Sequence, residues 1–158
     1  MTQQRARAGV VVASLASLVL AGSATGQMAK MTPAETVAER QRLMKLNGAS
    51  WADAQAKLKA GNAEAVAVNA ETMAFLAREL TSVFPEGSMT PDSKAKPEIW
   101  QKWADFESAA KNFQMQAEKL RDAAKSKDAA ATEAIAKDFG REACGTCHTP
   151  FRVPPPKS

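Results

Sequence analysis

The 158-residue sequence predicts an all-α protein that folds as an antiparallel up-down-up-down four-helix bundle. Four consecutive segments carry apolar residues at the spacing of one α-helical face. No segment alternates apolar and polar residues with the period of two that marks a β-strand. The connections are short enough for consecutive helices to run antiparallel, and only residues 85–97 form a long irregular link. These observations favour a single helical domain over residues 27–158.

The first helix is predicted to begin at Thr32-Pro33. Thr32 is a good N-cap, Pro33 suits the first turn, and Glu35 lies three residues after the cap, which is the capping-box pattern. Gly61-Asn62 is the predicted terminator. The apolar residues of this helix repeat every seven positions and share one face: Val37, Met44, Trp51 and Leu58.

The second and third helices are also predicted from apolar periodicity. The second is expected from about Ala63 to Val83, before the break at Phe84-Pro85-Glu86-Gly87, with an apolar stripe of Val66, Met73, Leu76, Leu80 and Val83. The third is expected from Pro97-Glu98 to the polar turn at residues 125–128. Its apolar residues alternate steps of four and three: Ile99, Trp103, Phe106, Ala110, Phe113, Ala117, Leu120 and Ala124.

The fourth helix is predicted to start near Ala129 and to stop at Pro150. It carries Ile135 and Phe139 as apolar positions. Proline has no amide proton and its ring clashes with the preceding turn, so we expect the helix to end there. Pro154-Pro155-Pro156 then predicts an extended tail.

Residues 1–26 are interpreted as a secretory signal peptide. Arg5 and Arg7 give a basic start, residues 9–21 are apolar but short for a membrane span, and small residues precede Gln27. The alternative is a retained N-terminal anchor. Removal of both arginines leaves 19 basic and 17 acidic residues, so the formal net charge falls from +4 to about +2. This balance gives no reason to expect nucleic-acid binding. We also expect no stable insertion in a membrane.

The two cysteines and the only histidine lie within five positions, Cys144 to His148. This CxxCH spacing is typical of c-type haem attachment, which fits an exported protein. Thiols three positions apart share a helix face and can bond to the two vinyl groups of one porphyrin, while His148 can bind its iron. We therefore expect one covalent haem c. The alternatives are a disulfide or redox pair of Cys144 and Cys147, and a zinc site, which would lack a suitable fourth ligand.

Three stretches of the sequence resemble cytochrome c′ and the wider class II c-type cytochromes. The resemblance covers residues 33–152. It implies that Cys144 and Cys147 hold the haem and that His148 is an axial ligand. The stretches that carry it are Arg40-Gln41-Arg42-Leu43-Met44-Lys45, Pro97-Glu98-Ile99-Trp100, and the CxxCH motif near the C-terminus followed by Phe151-Arg152.

The same resemblance implies further contacts with the haem. Arg40 is expected to pair with a propionate, a charge-assisted contact that suits arginine, and Gln41 of the same segment is also assigned to cofactor binding. Arg152 is expected near the proximal edge of the ring. The alternatives are a solvated surface arginine for Arg40 and a simple tail charge for Arg152.

Met44 decides between two haem functions. The resemblance implies that it stands over the distal face of the iron, and Leu43 to Gly48 resemble the low-spin, Met-ligated branch of the family. His/Met ligation suits electron transfer, and we expect Met44 to be the second axial ligand. The alternative is that Met44 is a core residue that covers an open iron.

The expected function is therefore a periplasmic monohaem electron carrier that exchanges electrons with redox partner proteins. The second hypothesis is a five-coordinate haem protein that binds NO or CO, and the third is a non-haem helical module with a disulfide. The sequence contains no catalytic carboxylate pair, phosphate-binding loop or nucleophile–base arrangement, so we do not interpret it as an enzyme. The resemblance is compatible with a homodimer through the first two helices.

Overall fold

A computed structural model describes residues 31–154. The predicted signal peptide, residues 1–26, lies outside the described residues, as does most of the proline tail. The helical elements are α1 (Pro33–Lys59), α2 (Val66–Ala77), α3 (Glu98–Gln101), α4 (Trp103–Lys125), α5 (Ala129–Phe139), a π-helical segment (Gly140–Gly145) and α6 (Thr146–Phe151). No β-strand occurs between residues 31 and 154, and no helix in that range is long and apolar enough to cross a membrane.

The four long helical units pack in sequence, as the all-α prediction requires. α1 packs against α2, α2 against α4, and α4 against α5. Trp51 of α1 stacks on Phe139 at the end of α5, with ring centroids 4.7 Å apart, so the first and last helical units also meet. The fold class predicted from the sequence is therefore confirmed.

α1 has the termini that its sequence predicts. The Thr32 hydroxyl accepts a hydrogen bond from the Glu35 amide, and the Glu35 carboxylate accepts one from the Thr32 amide at 2.8 Å, which completes the capping box. At the other end, Gly61 has a φ of +73° and its amide donates to the Leu58 carbonyl. A left-handed glycine of this kind satisfies carbonyls that the helix end leaves free.

α2 is shorter than predicted, because it ends at Ala77 and not at Val83. Beyond Ala77 the amides bond to carbonyls three residues back, as in the bond from Leu80 to Ala77 (3.2 Å). Leu80 is still buried in the core. The apolar spacing thus continues past the end of the helix, which is why periodicity alone extended it.

The predicted third helix is interrupted at Lys102, whose φ and ψ are −127° and 50°. On one side of this break, the Trp100 indole of α3 donates to the carbonyl of Phe84 at 3.0 Å. On the other side, α4 runs without interruption to Lys125 and ends in a turn where Lys127 has a φ of +61°. The prediction of one continuous helix is wrong at this residue, because a one-residue kink barely disturbs the apolar pattern.

The C-terminal unit starts as predicted and then departs from a regular α-helix. Asp128 caps α5 by accepting a hydrogen bond from the Ala131 amide at 2.9 Å. After the π-helical segment, α6 continues through Pro150 and ends at Phe151. The predicted stop at Pro150 is therefore wrong. A proline near the helix end removes one amide donor without ending the helix, and the chain becomes extended only at Arg152.

The buried side chains form two clusters. The larger one joins α1, α2, α4 and α5 and includes Met73, Leu120 and Phe139, each at most 1% exposed. The smaller one joins α3, α4 and α6 and consists of Ile99, Phe106, Ala109 and Phe151. The candidate functional site lies beside this smaller cluster.

Candidate functional site

A cavity of about 250 Å³, open to solvent, lies between α1, the connection after α2, and the C-terminal helix. α3 contributes Ile99 to its wall, and α4 contributes Phe106 and Ala110. The structure brings six of the seven sequence-predicted site residues to this cavity: Arg40, Gln41, Met44, Cys147, His148 and Arg152. The seventh, Cys144, is absent from the lining.

The cavity wall is largely aromatic and aliphatic. Phe106 packs edge-on against Phe84 and against Phe151, with ring centroids 4.8 Å and 5.5 Å apart. Ile99 and Phe151 are buried beside them. Such a wall offers a flat apolar ligand the packing surface that most cofactor pockets provide.

The two thiols are free, and they lie against different parts of the protein. Cys147 packs against the smaller core cluster and lines the cavity, whereas Cys144 packs against the larger cluster. Burial raises the pKa of Cys147 to about 11, with a smaller contribution from Cys144, and burial also raises the pKa of the Cys144 thiol. Both side chains are therefore neutral thiols near pH 7. No disulfide joins these two cysteines.

His148 is half-buried on α6, one residue after Cys147. Burial lowers the pKa of its imidazole, and the nearby positive charge of Arg152 lowers it further. The ring is consequently neutral at pH 7, which is the protonation state that binds a metal. Arg152 itself is exposed, at the point where the chain leaves α6.

α1 contributes a second possible iron ligand to the cavity. Met44 is half-buried and lines the cavity, and Gln41, one turn earlier, is exposed at its edge. Among the lining residues in the described range, Met44 carries the one thioether and His148 the one imidazole. Met44 and His148 can both bind iron, and they lie on separate helices.

Arg40 is a buried side chain, 5% exposed, so the alternative of a solvated surface arginine is wrong. Its Nε donates to the Val83 carbonyl and its Nη2 to the Ser88 hydroxyl. The guanidinium lies over the Phe84 ring, 4.3 Å from the centroid, and burial lowers its pKa. Its Nη1 has no hydrogen-bond partner among the described residues. A carboxylate of a bound group would satisfy this donor.

The segment between α2 and α3 supplies site residues that sequence reasoning treated only as a connection. Phe84 forms part of the cavity wall, and buried Ser88 holds Arg40. The segment is also joined to the C-terminus, because the Lys96 amide donates to the Phe151 carbonyl at 2.9 Å and the Val153 amide to the Lys94 carbonyl at 2.8 Å. Aromatic residues at both ends of the connection were an available signal, but nothing in the sequence marks Ser88.

These features fit a covalently held haem. Cys147 and His148 are adjacent at the cavity, the wall is apolar, and a buried cation has a donor free for a carboxylate. Cys144 fits less directly, since its side chain packs against the neighbouring core.

Comparison with known proteins identifies the family of this chain. The family model described as Cytochrome C′ matches residues 35–152. A cytochrome c-556 from Agrobacterium tumefaciens (strain II Chrys) is 34% identical over 121 residues, which cover 74% of this chain and 96% of the relative.

Solved structures of cytochromes c′ are also similar to this chain. One is a cytochrome c′ with ligand-controlled dimer dissociation, 26% identical, with a TM-score of 0.72 over 80% of this chain and all of the other. Another is the nitric oxide complex of a mutant cytochrome c′ from Alcaligenes xylosoxidans, also 26% identical, with a TM-score of 0.71 over 80% of this chain and 99% of the other. Cytochromes of this family carry one covalently bound haem c, so the predicted cofactor and the four-helix bundle are both confirmed. The chain belongs to the cytochrome c′ family.

Proposed function

We propose that this protein is a periplasmic monohaem electron-transfer protein with His/Met-ligated iron. Cys144 and Cys147 hold the haem through thioether bonds, His148 is the proximal ligand and Met44 the distal ligand. The observation that carries the proposal is that Met44 of α1 and His148 of α6 line the same cavity. They are the thioether and the imidazole of its described lining, which is the ligand pair typical of electron-transfer cytochromes.

The chain's own residues adapt the site to this role. When bound, the haem supplies one-electron ferric–ferrous chemistry. The apolar wall of Phe84, Phe106 and Phe151 limits the access of water to the iron, and a low-polarity surrounding disfavours the more highly charged oxidised state. Arg40 presents its unpartnered Nη1 to a propionate, with its remaining donors fixed by Val83 and Ser88.

The test of Met44 is the absorption spectrum of the holoprotein, expressed with the haem-attachment machinery. We expect the oxidised wild type to be low-spin and to show the long-wavelength charge-transfer band of a thioether–ferric pair. Met44→Leu keeps the apolar volume, so it should lose that band, become high-spin and bind CO readily. Met115→Leu is the matched control, because Met115 is exposed on α4, and it should leave the spectrum unchanged. A high-spin wild-type spectrum with ready CO binding would contradict Met44 ligation.

The second candidate is a five-coordinate haem protein that binds NO or CO. It is favoured by the similarity to the nitric oxide complex of the Alcaligenes xylosoxidans protein. In that case Met44 is a soft apolar residue over an open coordination position. The wild-type spectrum separates the two candidates, since only the five-coordinate protein binds CO without first losing a protein ligand.

Export to the periplasm follows from the proposed removal of residues 1–26. The mature chain should begin at Gln27 and should be released with the periplasmic fraction. Amino-terminal sequencing of the purified holoprotein tests this directly. A chain that retains Arg5 and Arg7 and stays with the membranes would instead support the N-terminal anchor.

We also propose a homodimer built on α1 and α2. On α2, Val68 and Phe75 lie seven residues apart on one face and are 70% and 63% exposed, which is unusual for large apolar side chains. The similar cytochrome c′ undergoes a ligand-controlled dimer dissociation, which supports a dimer here. Sedimentation velocity should give a dimer for the wild type and a monomer for Phe75→Glu. Met115→Glu is the control on α4, and a monomeric wild type would rule the dimer out.

A further inference from the structure

The charges at the mouth of the cavity all have the same sign. Its lining contains Arg40, Lys45, Lys94 and Arg152, and among the described lining residues there is no aspartate or glutamate. Arg40 is buried, whereas the other three are exposed. We call Lys45, Lys94 and Arg152 the rim cations. They come from α1, from the connection before α3, and from the end of α6.

The rim cations also lack intramolecular counter-ions. None of the three makes an ion pair with any residue between 31 and 154. Two other exposed arginines are paired, Arg42 with Glu39 and Arg141 with Asp138. The mouth therefore presents positive charge that the rest of the fold does not neutralise.

The bound haem would not remove this charge. It brings two propionates, and Arg40 already offers one of them a buried donor. Four cations against two carboxylates leave the rim with a net positive charge. Asp92 is the exposed carboxylate closest in sequence to Lys94, and it lies outside the cavity lining. Unpaired surface charges around a cofactor steer an oppositely charged partner toward it, with an effect that salt screens.

We propose that the rim cations form the docking surface for a redox partner protein with an acidic face. This inference rests on the proposed electron-transfer function and adds to it the charge of the partner and the place where it binds. Docking there brings the partner to the open side of the cavity that Met44 and His148 line.

The first test measures the reaction of the reduced holoprotein with small oxidants by stopped flow. One electron passes from the protein to ferricyanide, which becomes ferrocyanide, or to tris(phenanthroline)cobalt(III), which becomes the cobalt(II) complex. We expect the rate with anionic ferricyanide to fall as ionic strength rises, and the rate with the cationic cobalt complex to increase. The double variant Lys45→Gln/Lys94→Gln should react with ferricyanide about ten times more slowly at low ionic strength. Lys119→Gln, an exposed lysine of α4, is the matched control and should not change it.

The second test uses a protein probe, reduced plant-type ferredoxin, whose surface is acidic, as donor to the oxidised holoprotein. The double variant should lower its second-order rate at low ionic strength and Lys119→Gln should not. Equal rates for the double variant and the wild type would overturn the docking surface. Binding to phosphatidylglycerol vesicles at physiological ionic strength that depends on Lys45 and Lys94 would overturn the choice of a protein partner. If the holoprotein exchanges electrons with neither small oxidant, the proposed electron-transfer function is wrong. If it reacts with both oxidants, but neither salt nor the lysine variants change the rates, only the proposed docking surface is wrong.

Discussion

Removal of the Arg40 guanidinium is the sharpest test of how this site is held together. Arg40→Met keeps an unbranched apolar stem and deletes the donors to the Val83 carbonyl and the Ser88 hydroxyl. Hydrogen bonds from a charged donor contribute about 1.5–3 kcal/mol each. Stacking on Phe84, at 4.3 Å, adds about 0.5–2 kcal/mol. Against these gains stands the desolvation of a cation that is 5% exposed, a cost of several kcal/mol that also lowers its pKa.

The balance predicts that Arg40→Met lowers the free energy of unfolding by about 1–3 kcal/mol, because the variant leaves Val83 without a donor but avoids the desolvation cost. Urea unfolding of the holoprotein measures it. Arg42→Met is the control, since Arg42 is exposed and, between residues 31 and 154, is paired only with Glu39; it should leave the free energy of unfolding nearly unchanged. The reduction potential should also fall in Arg40→Met, because a positive charge beside the cofactor favours the reduced state. An Arg40→Met protein as stable as the wild type would refute the reasoning, since the guanidinium contacts would then not exceed the cost of burying the charge.

Three further changes test the fold around the site. Leu120→Ala deletes a fully buried side chain of the larger core cluster and should cost about 2–5 kcal/mol in urea unfolding. Lys127→Gly relieves a positive φ of 61° at the turn before α5 and should raise stability by up to about 1 kcal/mol, measured the same way. Asn112→Ala removes the 2.7 Å hydrogen bond to the Glu142 carbonyl in the π-helical segment, so hydrogen exchange should become faster over residues 140–145 while α1 stays protected.

The sequence predicts those parts of the fold that local chemistry determines. The capping box of Thr32 and Glu35 and the glycine at residue 61 set both ends of α1, and all of these signals lie within one turn of the ends they set. The residues after α2 and before the break at Lys102 are instead held by distant contacts. Arg40 takes the Val83 carbonyl, and Trp100 bonds to Phe84. Apolar spacing cannot report such contacts, because Leu80 is buried whether or not its backbone is helical.

The distinction between local sequence signals and distant contacts also applies to the CxxCH motif. The motif identifies the chemistry because its three reactive side chains are neighbours in sequence. It assumes, however, that residues three apart share a face, which holds for a regular α-helix. Here Cys144 lies in the π-helical segment and Cys147 in α6, and the wider turn of a π-helix changes the angle between successive side chains. Cys144 accordingly packs against the larger core cluster and Cys147 against the smaller one. The Glu142 carbonyl in this segment accepts hydrogen bonds from the side chains of Asn112 and Thr146. Asn112 of α4 thus anchors the backbone of the segment that carries Cys144, which is information that the five-residue pattern cannot contain.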